Sequence, residues 1–475
     1  MNEIDYCILR KIQLSLVLVV FSVFGCRKDE PEVINESRLV TDYSFMLAGN
    51  NTIFDKSPNA FSFPDPGLIG LEELMFFTGN TLFNTSWVKS PASTTAVDGL
   101  GPTLNAKGCV SCHFKDGRGR PANYQDETGT GLLLKLSIGE DLDGAPIPHP
   151  IYGHQLQDAS ILGVSEEGGL GVTYVEETGT FSDGESYSLR RPTYFIYNPQ
   201  FGDLGNDVLM SPRIARQLIG MGYLESISED SILANADEDD IDQDGISGKA
   251  NYVWDDLNQT YSLGRFGWKA DQPSVIQQTA KAFLRDIGIT TELYPYENCP
   301  DAQVDCSNME NGGTPEIDSV GFERVILYVS NLAVPAQRDY EMATVKKGKQ
   351  IFESIGCVKC HDNYAITEPN SRFPHLGNQL IRPYTDMLLH DMGEGLADNM
   401  QVFKASGNEW RTPPLWGIGL IETVNNHTYY LHDGRARNLT EAILWHGGEA
   451  STKKSIFKSL SKEDRDALIL FLKSL

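Results

Sequence analysis

The chain has 475 residues, 40% hydrophobic and 22% charged, so it can bury two or three cores and is too apolar for a disordered segment. Lys and Arg number 39 against 65 Asp and Glu, and the resulting net charge of −26 argues against nucleic acid and anionic membrane surfaces as partners. No apolar run reaches the roughly eighteen residues a membrane span requires, and eight cysteines are too few for a disulfide scaffold of this length.

Residues 1–25 read as a signal peptide. Arg10 and Lys11 supply the basic start and residues 12–24 the apolar stretch. The stretch ends in Val23-Phe24-Gly25-Cys26, which resembles a bacterial lipobox, with Cys26 as the lipidated first residue of the mature chain. Residues 26–66 read as a polar tether. These features predict a protein outside the cytoplasm, held by lipid on the outer membrane or cell surface, or else periplasmic. The membrane is reached only through that lipid.

A first domain is predicted over 67–335. Leu71, Leu74 and Phe77 have helical spacing and lead into Gly79, Leu82 and Phe83. Gly108-Cys109-Val110-Ser111-Cys112-His113 follows. About 130–200 reads as a β insertion, with a hairpin over 172–197 turning at Ser182-Asp183-Gly184-Glu185. Ser211-Pro212 predicts a helix start. The acidic segment 237–251 places Asp240, Asp242, Asp244 and Gly245 at the first, third, fifth and sixth positions of a calcium loop. Asn251 stands where the closing Glu belongs, so a shortened loop holding calcium is expected. In an oxidising compartment Cys299 and Cys306, in one polar loop, can close a disulfide.

The second domain is predicted over 336–475. Val345, Ile351 and Ile355 repeat the helical lead-in, with Gly348 and Phe352 matching Gly79 and Phe83, before Gly356-Cys357-Val358-Lys359-Cys360-His361. Ser461 to Asp464 resembles a capping box for a last helix that aligns Leu468, Leu472 and Leu475. The predicted class is mainly α: two cytochrome c-like haem domains, the N-terminal one with β-hairpin insertions.

Cys-x-x-Cys-His is the attachment signal of haem c. Two cysteines three apart reach the two vinyl groups of one porphyrin, and the adjacent His meets the iron. The motif predicts two covalent haems, on Cys109, Cys112 and His113 and on Cys357, Cys360 and His361. A zinc site would be closed by a second Cys pair instead.

Further segments carry a resemblance. These are Leu209-Met210-Ser211-Pro212-Arg213-Ile214, Leu263 to Trp268, residues 381–398, Glu409-Trp410-Arg411 and Leu431-His432-Asp433-Gly434-Arg435. Over about 67–475 the chain resembles the bacterial di-haem oxidoreductases, often labelled thiol oxidoreductases, within the di-haem cytochrome c peroxidase superfamily. No redox cysteine pair is left to support a thiol chemistry.

The resemblance implies that the C-terminal haem takes electrons from a small redox protein. The N-terminal haem then meets hydrogen peroxide or a similar small oxidant. It implies a bridging tryptophan at Trp268 and a peroxide-side Gln278, with Asp286 the carboxyl group nearest the position of the family's glutamate, which is Gly288 here. It places the second iron ligand of the C-terminal haem fourteen residues after His432, where Met or Tyr is usual and His446 stands here. Met392 is the alternative ligand. His149 and His154 are candidates for a displaceable ligand at the N-terminal haem, and His390 for a propionate partner. A non-enzymatic electron carrier with both irons saturated stays open as the alternative function.

Overall fold

The computed structural model describes residues 43–121 and 131–475. Its helices that matter for the site are α1 (Leu71–Asn84), α2 (Val275–Asp286), α3 (Ser319–Ser330), α4 (Ala343–Ser354), α5 (Leu439–Trp445) and α6 (Lys462–Ser474). Their starts follow local chemistry. The side chains of Ser274, Asp318, Asn438 and Ser461 each accept a hydrogen bond from the backbone N–H three residues on, satisfying a donor that the first turn leaves free.

Two helix pairs repeat one design. α1 packs on α3, and α4 packs on α6. Each crossing is made at a glycine. A Cβ on Gly79 would lie 2.1 Å from the Arg324 carbonyl oxygen, and one on Gly348 would lie 2.0 Å from that of Ala467. Phe83 and Phe352, one turn after these glycines, bring their rings to 6.3 Å from His113 and 6.2 Å from His361. The lead-in of α1 is helical, yet its expected face points outward. Leu71, Leu74 and Phe77 are 65%, 61% and 48% exposed, while Phe76, Gly79 and Phe83 are buried.

Strands β1 (Leu132–Ser137), β2 (Gly169–Thr180) and β3 (Ser186–Tyr197) build the insertion, and β4 (Leu209–Ile214) follows it and pairs with β1. β2 and β3 form an antiparallel hairpin from Gly169 opposite Tyr197 to Thr180 opposite Ser186. Its tip reaches the C-terminal half. There Asp183 and Glu185 accept from Arg465 at 2.8 and 2.6 Å, and Ser182 N–H donates to the Lys458 carbonyl at 3.0 Å. Ser211-Pro212 does not start a helix. It lies in β4, with Pro212 opposite Leu134 of β1. β1 is the strand that β4 pairs with, so the outer edge of β4 accommodates the missing N–H.

The expectation of a mainly α fold is overturned. Only 29% of the structure is helical, 19% is in strands and bridges, and the strands form six separate two-stranded ladders. The helices frame the molecule, while loops and short ladders line much of the interior. The tether is also shorter than expected. Leu47, Ala48, Ala60 and Phe61 are fully buried, Ile53 bridges Pro335, and Pro64 bridges Leu332. Ser44–Leu475 is one compact unit with a continuous core. Cys26 and the signal segment lie outside the described residues.

Candidate functional site

Each Cys-x-x-Cys-His motif starts as a short 3-10 turn, Cys109–Ser111 and Cys357–Lys359, and borders its own cavity. In the N-terminal cavity His113 Nδ1 lies 2.8 Å from the Arg216 carbonyl oxygen. In the C-terminal cavity His361 Nδ1 lies 3.0 Å from that of Tyr384. A carbonyl acceptor fixes the proton on Nδ1 and leaves Nε2 as the free donor atom, the usual arrangement behind a metal-ligating imidazole. Burial pushes both imidazoles toward the neutral form, His361 down to about 4 with the charge of His446 as the next cause. Burial also holds the cysteines as neutral thiols, with Cys109, Cys112 and Cys357 pushed up to about 12.

The C-terminal cavity contains His446 and Met392 as well as His361. His446 ends α5, is depressed in basicity by burial, and places Nδ1 2.7 Å from the Ala442 carbonyl oxygen. It therefore has the same single free nitrogen as His361. Met392 is partly buried on the same cavity wall. His390 is fully engaged by protein. Its Nε2 lies 2.7 Å from Asp386 and its Nδ1 2.7 Å from Glu449, which leaves no nitrogen for a propionate. Against burial, Asp386 first, then Cys360 and Glu449, hold it well above the usual histidine range.

The N-terminal cavity brings together His113, Trp268, Gln278 and Asp286. Gln278 and Asp286 are on α2, and Asp286 Oδ1 accepts from Gln155 at 2.9 Å. His149 and His154 do not line this cavity. His149 is structural: Nδ1 faces the N–H groups of Ile151 and Tyr152 at 3.1 and 3.2 Å, and Nε2 the Leu204 carbonyl at 3.0 Å.

Trp268 and Arg411 line both cavities. The indole N–H donates to the Ile214 carbonyl at 2.9 Å. Arg118 lies 5.3 Å and Arg216 5.0 Å from its ring centre, the first on the C-terminal cavity and the second on the N-terminal one. Arg118 Nε and Arg216 Nη1 are buried with no hydrogen-bond partner. Orphaned buried guanidinium nitrogens are rare unless an acid group completes them, and haem propionates would do so here. His432 stacks on Trp410 at 3.8 Å and is 6.5 Å from Trp268.

In the acidic loop, carboxylate oxygens of Asp237, Asp240 and Asp242 fall within 4.8 Å of one another. Asp244 turns away to Lys359 Nζ at 3.0 Å, so the cluster keeps Asp240 and Asp242 of the predicted set and has Asp237 in place of Asp244. Lys359 belongs to the second Cys-x-x-Cys-His motif, which sets this loop beside the C-terminal site. Cys299 and Cys306 form a disulfide. Sequence reading missed Arg118, Arg216, Lys135, Lys281 and Arg285 as cavity residues. Arg118, Lys135 and Arg216 come from separate segments and carry no motif, so only tertiary structure assembles them, whereas Lys281 and Arg285 share α2 with Gln278 and helical spacing could have placed them beside it.

Comparison with known proteins gives one family. Residues 44–475 match the family described as "Di-haem oxidoreductase, putative peroxidase". No curated protein matches the chain.

Proposed function

The chain belongs to the di-haem oxidoreductase family, and from that premise we propose that it is an exported di-haem c-type cytochrome that reduces peroxide. Cys109 and Cys112 would hold one haem by thioether bonds with His113 on its iron, and Cys357, Cys360 and His361 the other. When bound, the two haems supply the electron chemistry, the C-terminal one drawing on a small redox protein and the N-terminal one serving hydrogen peroxide or a similar small oxidant.

One observation carries this reading: the two cavities differ in what faces the motif histidine. The C-terminal cavity contains His446 with a free Nε2, which supports a second protein ligand there. The N-terminal cavity has, among the described residues, His113 as its one lining histidine, which leaves room for a small molecule. Trp268 sits in the wall common to both and is held by Ile214. In the N-terminal cavity the Gln278 amide can orient an oxidant. Asp286 can take and return a proton at Oδ2, its Oδ1 being committed to Gln155.

Lipid attachment at Cys26 would keep this chemistry outside the cytoplasm. Calcium in the acidic loop would use Asp237 with Asp240 and Asp242, while Asp244 serves Lys359.

Two measurements on the holoprotein test the reading. A pyridine haemochrome assay should return two covalent haems per chain, and one after joint replacement of Cys109 and Cys112 by Ala. Reduced protein should bind carbon monoxide at one haem. Two haems that both refuse carbon monoxide would replace the peroxidase with an electron carrier.

A further inference from the structure

The lining of the N-terminal cavity is out of charge balance. Six cationic side chains border it, Lys135, Arg213, Arg216, Lys281, Arg285 and Arg411, against the carboxylates of Asp271 and Asp286. Asp256, outside the cavity, adds a partner for Lys281 at 3.3 Å. Even with two haem propionates added, one positive charge remains in a protein of net charge −26. Buried charge of one sign is costly unless a counter-charge completes it.

The surplus is localised. Arg213 pairs with Asp271 at 3.5 Å. Arg216 lies against Trp268 with its partnerless Nη1 left for a haem propionate, and Arg411 donates to the Gly267 and Thr412 carbonyls. Lys135 has the neutral amide of Gln155 as its partner, and among the described residues neither Lys135 nor Arg285 is ion-paired with a carboxylate. These two and Lys281 also lie close together: Gln155, the partner of Lys135, donates to the Arg285 carbonyl at 3.1 Å, and Lys281 is one turn from Arg285. His154 beside them is pushed down to about 2, by burial first and then by the charges of Arg285, Lys135 and Lys281. Lys135 itself is lowered to about 8 by burial, with Asp286 opposing the shift and Arg285 and Arg213 adding to it. Lys281 and Arg285 are four apart on α2, the same helix that brings Gln278 to the cavity.

We propose that Lys135, Lys281 and Arg285 form a cradle for a small oxyanion, so that the N-terminal cavity takes a negatively charged ligand beside the neutral peroxide of the proposed reaction. This rests on that cavity being the substrate side. Its chemistry is shared by inorganic oxyanions and by small carboxylates, and both are held by the same three cations through charge-assisted hydrogen bonds.

The test is calorimetry on ferric holoprotein with sodium nitrite and, separately, sodium acetate, against sodium chloride at equal ionic strength. Nitrite or acetate should bind more tightly than chloride, and the tighter of the two identifies the class of oxyanion. In the Lys135→Gln, Arg285→Gln double variant that affinity should fall at least about tenfold, as for loss of charged hydrogen bonds. Neutral imidazole should bind both proteins alike. Wild-type protein that treats nitrite, acetate and chloride alike overturns the cradle, as does an unchanged affinity in the double variant. Should the variant lose haem, the wild type decides by salt: oxyanion affinity must fall as ionic strength rises while imidazole affinity stays level. Calorimetry reads the cradle whether or not iron is open, whereas carbon monoxide reads the open iron alone. The two ideas can therefore fail separately.

Discussion

The N-terminal and C-terminal halves use the same frame and finish it differently. In each, a glycine lets two helices touch, a phenylalanine one turn later approaches the motif histidine, and a carbonyl fixes that histidine's Nδ1. Across the cavity the resemblance ends. The C-terminal half contributes His446 at the end of a short helix. The N-terminal half has taken up a long insertion, and β1 from it, with β4 and α2 from beyond it, lines the cavity with Lys135, Arg213, Lys281 and Arg285. On the proposed reading one half would saturate a metal with protein and the other would admit a charged small molecule, the frame holding the cofactor and the far wall setting its chemistry.

The frame should fail equally on both sides. Gly79→Ala and Gly348→Ala each drive a methyl group into a backbone carbonyl of the partner helix, which cannot move as a side chain can. Overpacking of this kind costs roughly 3 kcal/mol. Denaturant unfolding of the holoproteins should show a similar loss for both variants. A loss confined to one would mean the two crossings are not equivalent, and the repeat would be a likeness of sequence alone.

A change at the far wall should convert one half toward the other. Two imidazoles give low-spin iron at a lower potential than imidazole with thioether. Wild-type ferric protein should therefore lack the red absorption band of Met-ligated iron. His446→Met should introduce that band and raise the potential of this haem by on the order of 100 mV. His446→Ala should open it, so that reduced protein binds two molecules of carbon monoxide. A Met band in the wild type would transfer the ligand role to Met392, which borders the same cavity.

How much of this was legible follows from range. The two Cys-x-x-Cys-His motifs, the lead-in helices, the hairpin and the last capped helix depend on neighbours within a few residues, and their sequence signals point to them. Helical spacing of apolar residues placed α1 but did not say which of its faces is buried. Gly79 marks the crossing, and Leu71, Leu74 and Phe77 lie on the other side. Ser211-Pro212 was misread because a helix start and the free edge of a two-stranded ladder both tolerate proline. The mainly α class failed for a similar reason: helices announce themselves by periodicity, while the short ladders and loops of the interior have no period. The cationic lining could not be read at all, since Lys135 and Arg285 are 150 positions apart.

The finest comparison is between adjacent residues of α2. Gln277 is fully buried and structural: its side chain accepts from Asp256 N–H at 2.7 Å and donates to the Trp254 carbonyl at 3.1 Å and to Gln272 at 3.3 Å. Gln278 is one residue on, about 100° around the helix, and borders the N-terminal cavity, where Gln277 does not. Gln277→Ala strands the groups it satisfied, so stability should fall by about 1–3 kcal/mol, with turnover per folded molecule unchanged. Gln278→Ala removes one hydrogen bond to an oxidant, which is worth up to about tenfold in rate. Haem content and unfolding should stay at wild-type values, since its side chain is neither a proposed ligand nor part of that network. Stopped-flow peroxide reduction beside a denaturant curve separates the two residues. Equal rates for Gln278→Ala and wild type would take Gln278 out of the mechanism, and the work on the oxidant would fall to Asp286 and the cations around it.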